Sequence, residues 1–523
     1  MSESENMNQS GRTGRVKRSR RKRTAPSLET TPSPARAGTE GGHLRPLTHQ
    51  QLTEINTAVR HVLEHVGFSE APPIMVETVL AGGGKLLENG RLSFPESLLE
   101  QFLANAKRGF TLHGQRSQFD IHMSGKKVHM GTGGAAPQVV DLESEQYRDS
   151  TLLDLYSAAR LTDALDHIHF FSRSLVARDM PNPLLLDINT AYASLVGTQK
   201  HVCTSITLPN HVKPLSEMFY MIAGSKEAFE KRPFISLNIN HVVPPLRFHA
   251  ESCEVMAEAV KRGIPVHCNV FSQVGASCPV TLAGSIVQNT AESLAGMIFA
   301  WLINPNAKAI MGVRPMLTDL RTGGFSGGSG EQAIIMAATA QVAQFYDLPN
   351  SCIAGATDSK LADAQSGYEK SMTVSLAAQA GSNLITQAAG MHAGLMGVAL
   401  ESYVIDNEML GGIMRSINPI EVNETTLATQ MIAEVVNGEG HFLGHPETYN
   451  RMQTDFLYPE IADRRSPQEW ETAGQKDIRE IAKEKTKHLL ATHYPNHISA
   501  EVDQMIRERF DIRLTREQMR RVE

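Results

Sequence analysis

The chain has 523 residues, a formal net charge of −6 and 41% hydrophobic residues, enough to bury a large core. No stretch approaches the roughly 18–20 unbroken apolar residues of a membrane helix, and no apolar run follows the basic N-terminal segment as in a secretory signal. The five cysteines are scattered and never form a CxxC pair, which argues against a disulfide framework. We therefore expect a cytoplasmic protein with no membrane partner.

Charge is distributed unevenly along the chain. Residues 1–45 carry a net charge of +6, whereas the rest of the chain carries −12. The basic segment is rich in Ser, Thr, Gly and Pro and has almost no large apolar residue, which predicts a disordered tail over residues 1–45. The acidic body argues against nucleic acid as the main ligand.

Residues 46–127 predict a preface of helices and a β-hairpin. LTHQQLTEINTAVRHVLEHVG has apolar residues at helical spacing and ends at Gly67. Ser93 is placed to cap a helix that carries Pro95 and Glu96 in its first turn. FTLHG and FDIHMSGKKVHMG alternate apolar and polar residues, as half-buried hairpin strands do.

Between residues 128 and 400, eight short apolar runs alternate with helical segments. The runs cover residues 128–134, 167–174, 201–207, 234–240, 265–273, 308–315, 351–358 and 383–390. An eightfold alternation over about 260 residues predicts an α/β fold of the (β/α)8 TIM barrel type. The alternative, an open doubly wound sheet, usually has fewer units, and no GxGxxG follows the first run.

Residues 401–523 predict a C-terminal helical extension. Its clearest helices are ESYVIDNEMLGGIMRSI, NETTLATQMIAEVVNG and QKDIREIAKEKTKHLLATH. Earlier in the chain, within the barrel region, a further helix is predicted over SEQYRDSTLLDLYSAARLTDAL. The charged end, ERFDIRLTREQMRRVE, is typical of an exposed helical arm. Because such an arm suits self-association, we expect a homo-oligomer.

Functional groups of a barrel lie at the C-terminal ends of its strands and in the loops that follow. These positions offer no cysteine pair, no HExxH, no lysine placed for a Schiff base and no serine in GxSxG. We therefore expect no metal site. A site poor in acids, bases and nucleophiles suggests that the reactive atom belongs to a cofactor.

The glycine-rich loop RTGGFSGGSGEQ after the sixth run has two interpretations. Backbone N–H groups before a helix can cradle a phosphate. Here no Lys or Arg follows, and Glu331 would repel an anion, which favours a flexible lid or a surface of close approach.

One long motif resembles a known family. The segment GATDSKLADAQSGYEKSMTVSLAAQAGSNLITQAAGMHAGL, followed by ESYVIDNEMLGGIMR, resembles the C-terminal half of the trimethylamine methyltransferase-like proteins, the corrinoid-dependent methylamine family that includes glycine betaine methyltransferase. The resemblance covers most of residues 50–480. It implies a (β/α)8 barrel that moves a methyl group from an amine to the cobalt of a corrinoid carried by a separate protein, with no cofactor bound tightly.

The resemblance also implies a class of substrate. The archaeal trimethylamine enzymes carry pyrrolysine, whereas this sequence contains only the standard twenty residues and resembles the non-pyrrolysine branch. Quaternary amines, as in glycine betaine, are the implied substrates. Attack by Co(I) on a methyl group of a quaternary ammonium expels a neutral amine, so a site without a general acid suits this reaction.

Several side chains are candidates for holding such a substrate. Aromatic faces bind a quaternary ammonium at ~0.5–2 kcal/mol each, and nearby carboxylates add to this. The substrate-binding candidates, each at a strand end or in a nearby loop or helix, are Phe171, Asn240, Phe271, Gln273, Arg314, Phe325, Glu331 and Tyr368. His392 is our first candidate to hold a betaine carboxylate and Arg314 the second, although His392 could instead be satisfied by loop carbonyls. Asp358 either faces the ammonium or caps the next helix. His392 and Asp358 are proposed as catalytic. Ordinary packing remains an equal alternative for each aromatic.

Two other functions stay open. A zinc-dependent methyltransferase acting on a thiol would need clustered thiolates, which the scattered cysteines disfavour. A non-catalytic protein that binds and senses a betaine would need the same polar strand ends without turnover.

Overall fold

A computed structural model of the protein describes residues 33–520, and its centre is a barrel of eight parallel strands. The strands are β1 (Lys127–Met130), β2 (Phe170–Ser172), β3 (His201–Thr204), β4 (Ile235–Asn240), β5 (Val266–Gln273), β6 (Ala309–Met316), β7 (Ser351–Ile353) and β8 (Leu384–Thr386). Each of the eight predicted runs overlaps one of these strands.

The hydrogen-bonded ladder closes on itself. Strands β2 to β6 form one parallel sheet, and β7 pairs with β8, which pairs with β1. Parallel bridges between Gly131 and Phe170 and between Met311 and Asn350 join the two sheets. The predicted (β/α)8 barrel is therefore confirmed.

A helix follows every strand. The helices are α1 (Leu152–Ala164), α2 (Pro183–Gly197), α3 (Val212–Ala223, continued by Lys226–Lys231), α4 (Ala250–Lys261), α5 (Leu282–Ile303), α6 (Gly330–Phe345), α7 (Ala364–Ala380) and α8 (Leu400–Ile417). Within residues 33–520, only α5 is long and apolar enough to cross a membrane, and 72% of its most apolar stretch is buried inside the protein. It packs on β5 and β6, as a core helix does.

The preface closes the N-terminal end of the barrel. Its helices and hairpin strands are His49–His61 with a π-helical turn Val62–Val66, Pro73–Ala81, Lys85–Leu86 with Leu92–Ser93, Glu96–Asn105, and Phe110–Leu112 with Ile121–Met123. The last hairpin inserts Leu112, Ile121 and Met123 among apolar side chains of the barrel interior. The barrel is thus plugged at this end and open only at the other.

The basic tail was predicted too long. Thr39–Glu40 pairs with Lys127 and Val128 at the start of β1, and Ala35 is buried. Residues 33–45 are therefore ordered, because they cover the rim of the barrel. The basic run over residues 15–23 lies outside the described residues.

A small sheet lies beside the open end of the barrel. Gln138–Val140 pairs with Tyr147–Asp149 and with Gly397–Ala399, which in turn pairs with Met391–His392. The predicted helix starting at SEQYRD is therefore wrong over its first residues, because pairing with the neighbouring strand outweighs local helical preference. Thr151 caps α1 instead, with Asp154 completing the capping box.

The C-terminal boundary of the barrel also differs from the predicted residue 400, since α8 completes the eighth unit and ends at Ile417. The following helices are Glu424–Leu427, Thr429–Asn437, Pro446–Thr454, Pro467–Thr472, Ile478–Thr492 and Ala500–Arg509. The predicted exposed arm at the end of the chain is wrong. Phe510 and Leu514 are buried, and Asn189 on α2 bonds the backbone at Asp511 and Arg513.

Candidate active site

A cavity of about 260 Å³ opens at the C-terminal ends of the barrel strands. It is lined by Gly133, Gly134, Ala135, Ser172, Arg173, Ser205, Asn238, Asn240, Asn269, Phe271, Arg314, Met316, Thr386, Gln387 and Leu395. We call it the mouth cavity. Its lining includes two arginines and no Asp, Glu, His, Lys, Cys or Tyr.

A chain of side-chain hydrogen bonds forms one wall of the mouth cavity. Asn269 Nδ2 donates to Asn238 Oδ1 at 3.1 Å, and Asn238 Nδ2 donates to Ser172 Oγ at 3.1 Å. Asn269 Oδ1 and Gln387 Oε1 are buried with no hydrogen-bond partner in the described chain. A Cβ at Gly312 would lie 2.3 Å from Asn269 Oδ1, so this glycine makes room for the amide. The wall therefore holds two amide oxygens without a partner in the described chain, and Gly312 makes room for one of them.

Two arginines face the same cavity, Arg314 buried and Arg173 partly exposed. Arg314 is 3% exposed; one nitrogen donates to Ser351 Oγ at 2.8 Å, and Nε has no partner. Arg173 Nε is likewise buried without a partner. Neither group forms an ion pair with a carboxylate of residues 33–520. Burial lowers the pKa of both, that of Arg314 to about 10.

The one carboxylate that acts on Arg173 from a distance is already occupied. Asp187 accepts from the backbone N–H of Thr207 at 2.8 Å and lies 2.7 Å from His211 Nδ1. A cation without an anion is costly to bury, so the buried Arg314 and the partly buried Arg173 in one cavity point to an anionic ligand.

Phe271 lies beside Arg314. The two residues are register partners on β5 and β6, and the guanidinium carbon of Arg314 is 5.2 Å from the centre of the Phe271 ring. This cation–π contact orients the guanidinium. Phe271 therefore lines the cavity, but one part of its face is engaged by the protein itself.

Asp358 holds the glycine-rich loop rather than lining the cavity. Its carboxylate accepts from the backbone N–H groups of Gly327 at 2.9 Å and Gly328 at 3.4 Å. Burial raises the pKa of Asp358, assisted by the nearby Glu369 carboxylate. A Cβ at Gly328 would lie 2.2 Å from Glu369, so the loop is glycine-rich partly because it approaches this side chain closely. The loop amides that could hold a phosphate are taken by Asp358.

His392 is fully buried behind the mouth cavity. Its Nε2 lies 2.6 Å from Ser402 Oγ and 3.5 Å from Lys370 Nζ, and Lys370 Nζ donates to Asp406 at 2.8 Å. Burial and the Lys370 charge hold the pKa of His392 well below its usual range. The imidazole is neutral and out of reach of a substrate in the cavity, so the structure places it as a supporting group and not as the carboxylate ligand we expected.

The motif GYEK…VIDNE has a structural explanation. Glu369 of GYEK accepts from Thr357 Oγ1 at 2.5 Å and from the backbone N–H of Asp358 at 2.8 Å. Lys370 pairs with Asp406 of VIDNE, which also accepts from the backbone N–H of Gly390 at 2.7 Å. These contacts fix the loops after β7 and β8, so the motif builds the rim of the cavity.

Five other candidates do not reach the mouth cavity. Phe171 alternates with Phe170 and Ser172 on β2 and faces the outer helix layer. Tyr368 is 62% exposed on α7, while Gln273 and Glu331 are exposed at the end of β5 and the start of α6. Phe325 packs in the glycine-rich loop, where a Cβ at Gly327 would meet its ring. Of the substrate-binding candidates, the cavity brings together Asn240, Phe271 and Arg314.

The sequence-based candidates did not include Arg173 and Gln387, although both lie near the ends of predicted strands and line the cavity. The usable signal was an arginine at the ends of two predicted strands, Arg173 and Arg314, with Asp358 as the one acid at a neighbouring strand end. Met316 and Leu395 carry no such signal, because loop conformation alone brings Leu395 to the cavity.

The placement of possible metal ligands bears on the zinc-dependent alternative. Among the described residues there is no group of three or more His, Cys, Asp and Glu side chains that could hold a metal ion. All five cysteines are buried, and burial raises the pKa of the Cys203 thiol to about 12. The zinc-thiolate alternative therefore finds no suitable donor set in residues 33–520.

Comparison with known proteins identifies the family of this chain. The family model described as trimethylamine methyltransferase (MTTB) matches residues 11–518. The trimethylamine methyltransferase MttB of Methanosarcina thermophila is 30% identical over 475 residues, 88% of this chain and 96% of that protein. The glycine betaine methyltransferase of Desulfitobacterium hafniense is 27% identical, covering 87% and 94%. The crystal structure of the Methanosarcina barkeri monomethylamine methyltransferase gives a TM-score of 0.49 at 12% identity, covering 87% and 90%. This chain belongs to the trimethylamine methyltransferase (MTTB) family.

Proposed function

We propose that this protein transfers a methyl group from a betaine, a quaternary amine that also carries a carboxylate, to the Co(I) of a corrinoid held by a separate protein. The observation that carries the proposal is a pair of arginines, the buried Arg314 and the partly exposed Arg173, that face one cavity without a carboxylate partner. A substrate carboxylate would supply the missing anion and accept charge-assisted hydrogen bonds from both.

The rest of the cavity suits the cationic end of a betaine. A quaternary ammonium has no N–H to donate, so it is held by aromatic faces and by partial negative charge. Phe271 supplies the aromatic face, and the free amide oxygens of Asn269 and Gln387 supply the negative ends of two dipoles. The positive arginines and the negative oxygens would orient the zwitterion within the cavity.

The cavity lining contains no general acid, and the proposed reaction needs none. A Co(I) corrin is a strong nucleophile, and a quaternary ammonium that loses a methyl group leaves as a neutral amine. The residues of this chain would bind, orient and desolvate the substrate. A corrin ring is far larger than a cavity of about 260 Å³, so the methyl acceptor would approach from outside through the open mouth.

A substrate panel tests this proposal. The full chain is mixed with cob(I)alamin, free or on a corrinoid protein, and with glycine betaine, proline betaine, carnitine or choline. We expect demethylated amine and methylated corrinoid from at least one of the three carboxylates, and much slower turnover of choline. No turnover with any of the four would count against the proposal. Tight binding of a betaine without turnover on a competent corrinoid protein would indicate a binding protein instead.

A further inference from the structure

The segment over residues 419–458, which follows α8, has an unusually apolar surface. Eleven of the twenty-three large hydrophobic side chains exposed in residues 33–520 lie here. They are Ile420, Val422, Leu427, Ile432, Val436, Phe442, Leu443, Tyr449, Met452, Phe456 and Tyr458. We call it the 419–458 segment. Several of these side chains line a groove of about 870 Å³ together with Ser33, Pro34 and Arg36.

The segment has almost no core of its own. Its helices are Glu424–Leu427, Thr429–Asn437 and Pro446–Thr454, and among their residues only Val435 is buried. Helices shorter than about 12–15 residues are marginal in water without packing against a partner. The segment therefore needs a surface that covers it for as long as it is folded.

The groove lies at the closed end of the barrel. Asn418 donates a hydrogen bond to the carbonyl of Pro34, and α8 packs near Thr39–Glu40, which pairs with the start of β1. A partner bound here would leave the mouth cavity open. A corrinoid protein, which would visit the mouth and leave again, does not suit this position.

The exposed area is large enough for a stable interface. Together, the eleven exposed side chains of this segment present on the order of 1,000 Å² of surface, and four of them, Ile420, Met452, Phe456 and Tyr458, line the groove. A standard interface buries about 800 Å² on each partner, and permanent homodimers bury more and are more apolar.

The charges of two parts of the chain support a second copy of this chain as the occupant of the groove. The 419–458 segment has six Asp and Glu and one Arg, a net of −5. Residues 1–32 have eight Lys and Arg and three Glu, a net of +5, and they join the described chain at Ser33, which lines the same groove. Two copies would thus bring an acidic surface and a basic segment to one interface.

We propose that the 419–458 segment is the surface through which two copies of this chain associate permanently. Every copy carries the same uncovered segment, so a second copy is always available at a matching concentration. This inference is independent of the proposed reaction.

Light scattering of the full chain during size-exclusion chromatography tests the interface. We expect the native chain at micromolar concentration to have at least twice its chain mass of 57.3 kDa. Ile420→Asp with Phe456→Asp should yield a folded single chain, as judged by circular dichroism. Leu86→Asp, at an exposed position in the preface hairpin, is the matched control and should leave the mass unchanged.

Two results would overturn the proposal: a native chain that is monomeric at this concentration, or a double variant that keeps the native mass. Removal of residues 1–32 gives a second measurement, because it should weaken association about tenfold and reduce its salt dependence. An unchanged dissociation constant and an unchanged salt dependence would contradict the pairing of charges.

Discussion

Two buried cations near the mouth of the barrel have opposite surroundings. Lys370 lies behind the cavity and pairs with Asp406 at 2.8 Å, and both side chains are almost fully buried. Arg314 lies on the wall of the cavity, equally buried, with one hydroxyl partner and no carboxylate. A buried cation with its own anion holds elements together, whereas a buried cation without one is a place for a ligand.

The largest effect is expected when Lys370, the paired cation, loses its carboxylate partner. Asp406→Asn leaves Lys370 buried without an anion, so we expect the free energy of unfolding to fall by about 3–5 kcal/mol. Urea denaturation measures this. The control is Lys370→Met combined with Asp406→Asn, which removes both charges but keeps an acceptor for the Gly390 N–H, and should recover most of the loss. If the double variant is as unstable as the single one, the charge pair is not the cause.

A buried carboxylate without a cation extends the comparison. Glu292 on α5 accepts from the backbone N–H of Leu246 at 2.7 Å, and burial raises its pKa to about 7. The folded state therefore binds this proton more tightly than the unfolded state, whose pKa is near 4.5. The resulting stabilisation is present below about pH 4.5 and is lost as the pH rises through 7.

Glu292→Gln removes this dependence. Raising the pKa of this carboxyl from 4.5 to about 7 corresponds to about 3 kcal/mol, so the variant should exceed the native protein in unfolding free energy at pH 8 by up to about that amount. At pH 4.5 the two should be similar. Unfolding free energies at both pH values check this, and parallel pH profiles for the two proteins would show that Glu292 does not titrate in this range.

The next effect in size is expected for Arg314, the buried cation without a carboxylate partner. Arg314→Met should lower kcat/KM for a betaine about ten- to a hundredfold, since a hydrogen bond to a charged group contributes about 1.5–3 kcal/mol. Turnover of choline, which has no carboxylate, should change little. Unlike Asp406→Asn, this variant should keep the native unfolding free energy, because it removes an unpaired buried charge. A large loss of stability would show that Arg314 is structural like Lys370.

The smallest effect concerns Asp358. Asp358→Asn keeps one acceptor for Gly327 but weakens the hold on the glycine-rich loop, at a cost of about 1 kcal/mol. We expect a severalfold drop in kcat/KM and faster proteolytic cleavage within residues 321–330. Complete loss of turnover in a folded Asp358→Asn variant would instead place this carboxylate in contact with the substrate.

The barrel could be predicted from the sequence because its strands are short, buried and regularly spaced. Interior and exterior positions then follow from alternation along each strand, as Asn269, Phe271 and Arg314 illustrate on β5 and β6. Phe171 was misplaced because its strand is short and apolar on both faces, so the sequence does not show which face looks inward.

His392 and Asp358 show a different limit. Both follow a strand, as functional residues of barrels do, and yet the loops turn them away from the cavity toward Ser402 and toward Gly327. Loop conformation depends on long-range partners such as Glu369 and Asp406, which local patterns do not reveal.

By itself, the sequence determined the family, the (β/α)8 barrel and the scarcity of acids and nucleophiles at the strand ends, because spacing and residue type suffice for these. Only the tertiary structure decided which cations have partners. Lys370 and Arg314 are equally charged and equally buried, and what separates them is the presence of Asp406 on a helix 36 residues away in the chain. Pairing between distant residues makes one a structural charge and leaves the other for a ligand.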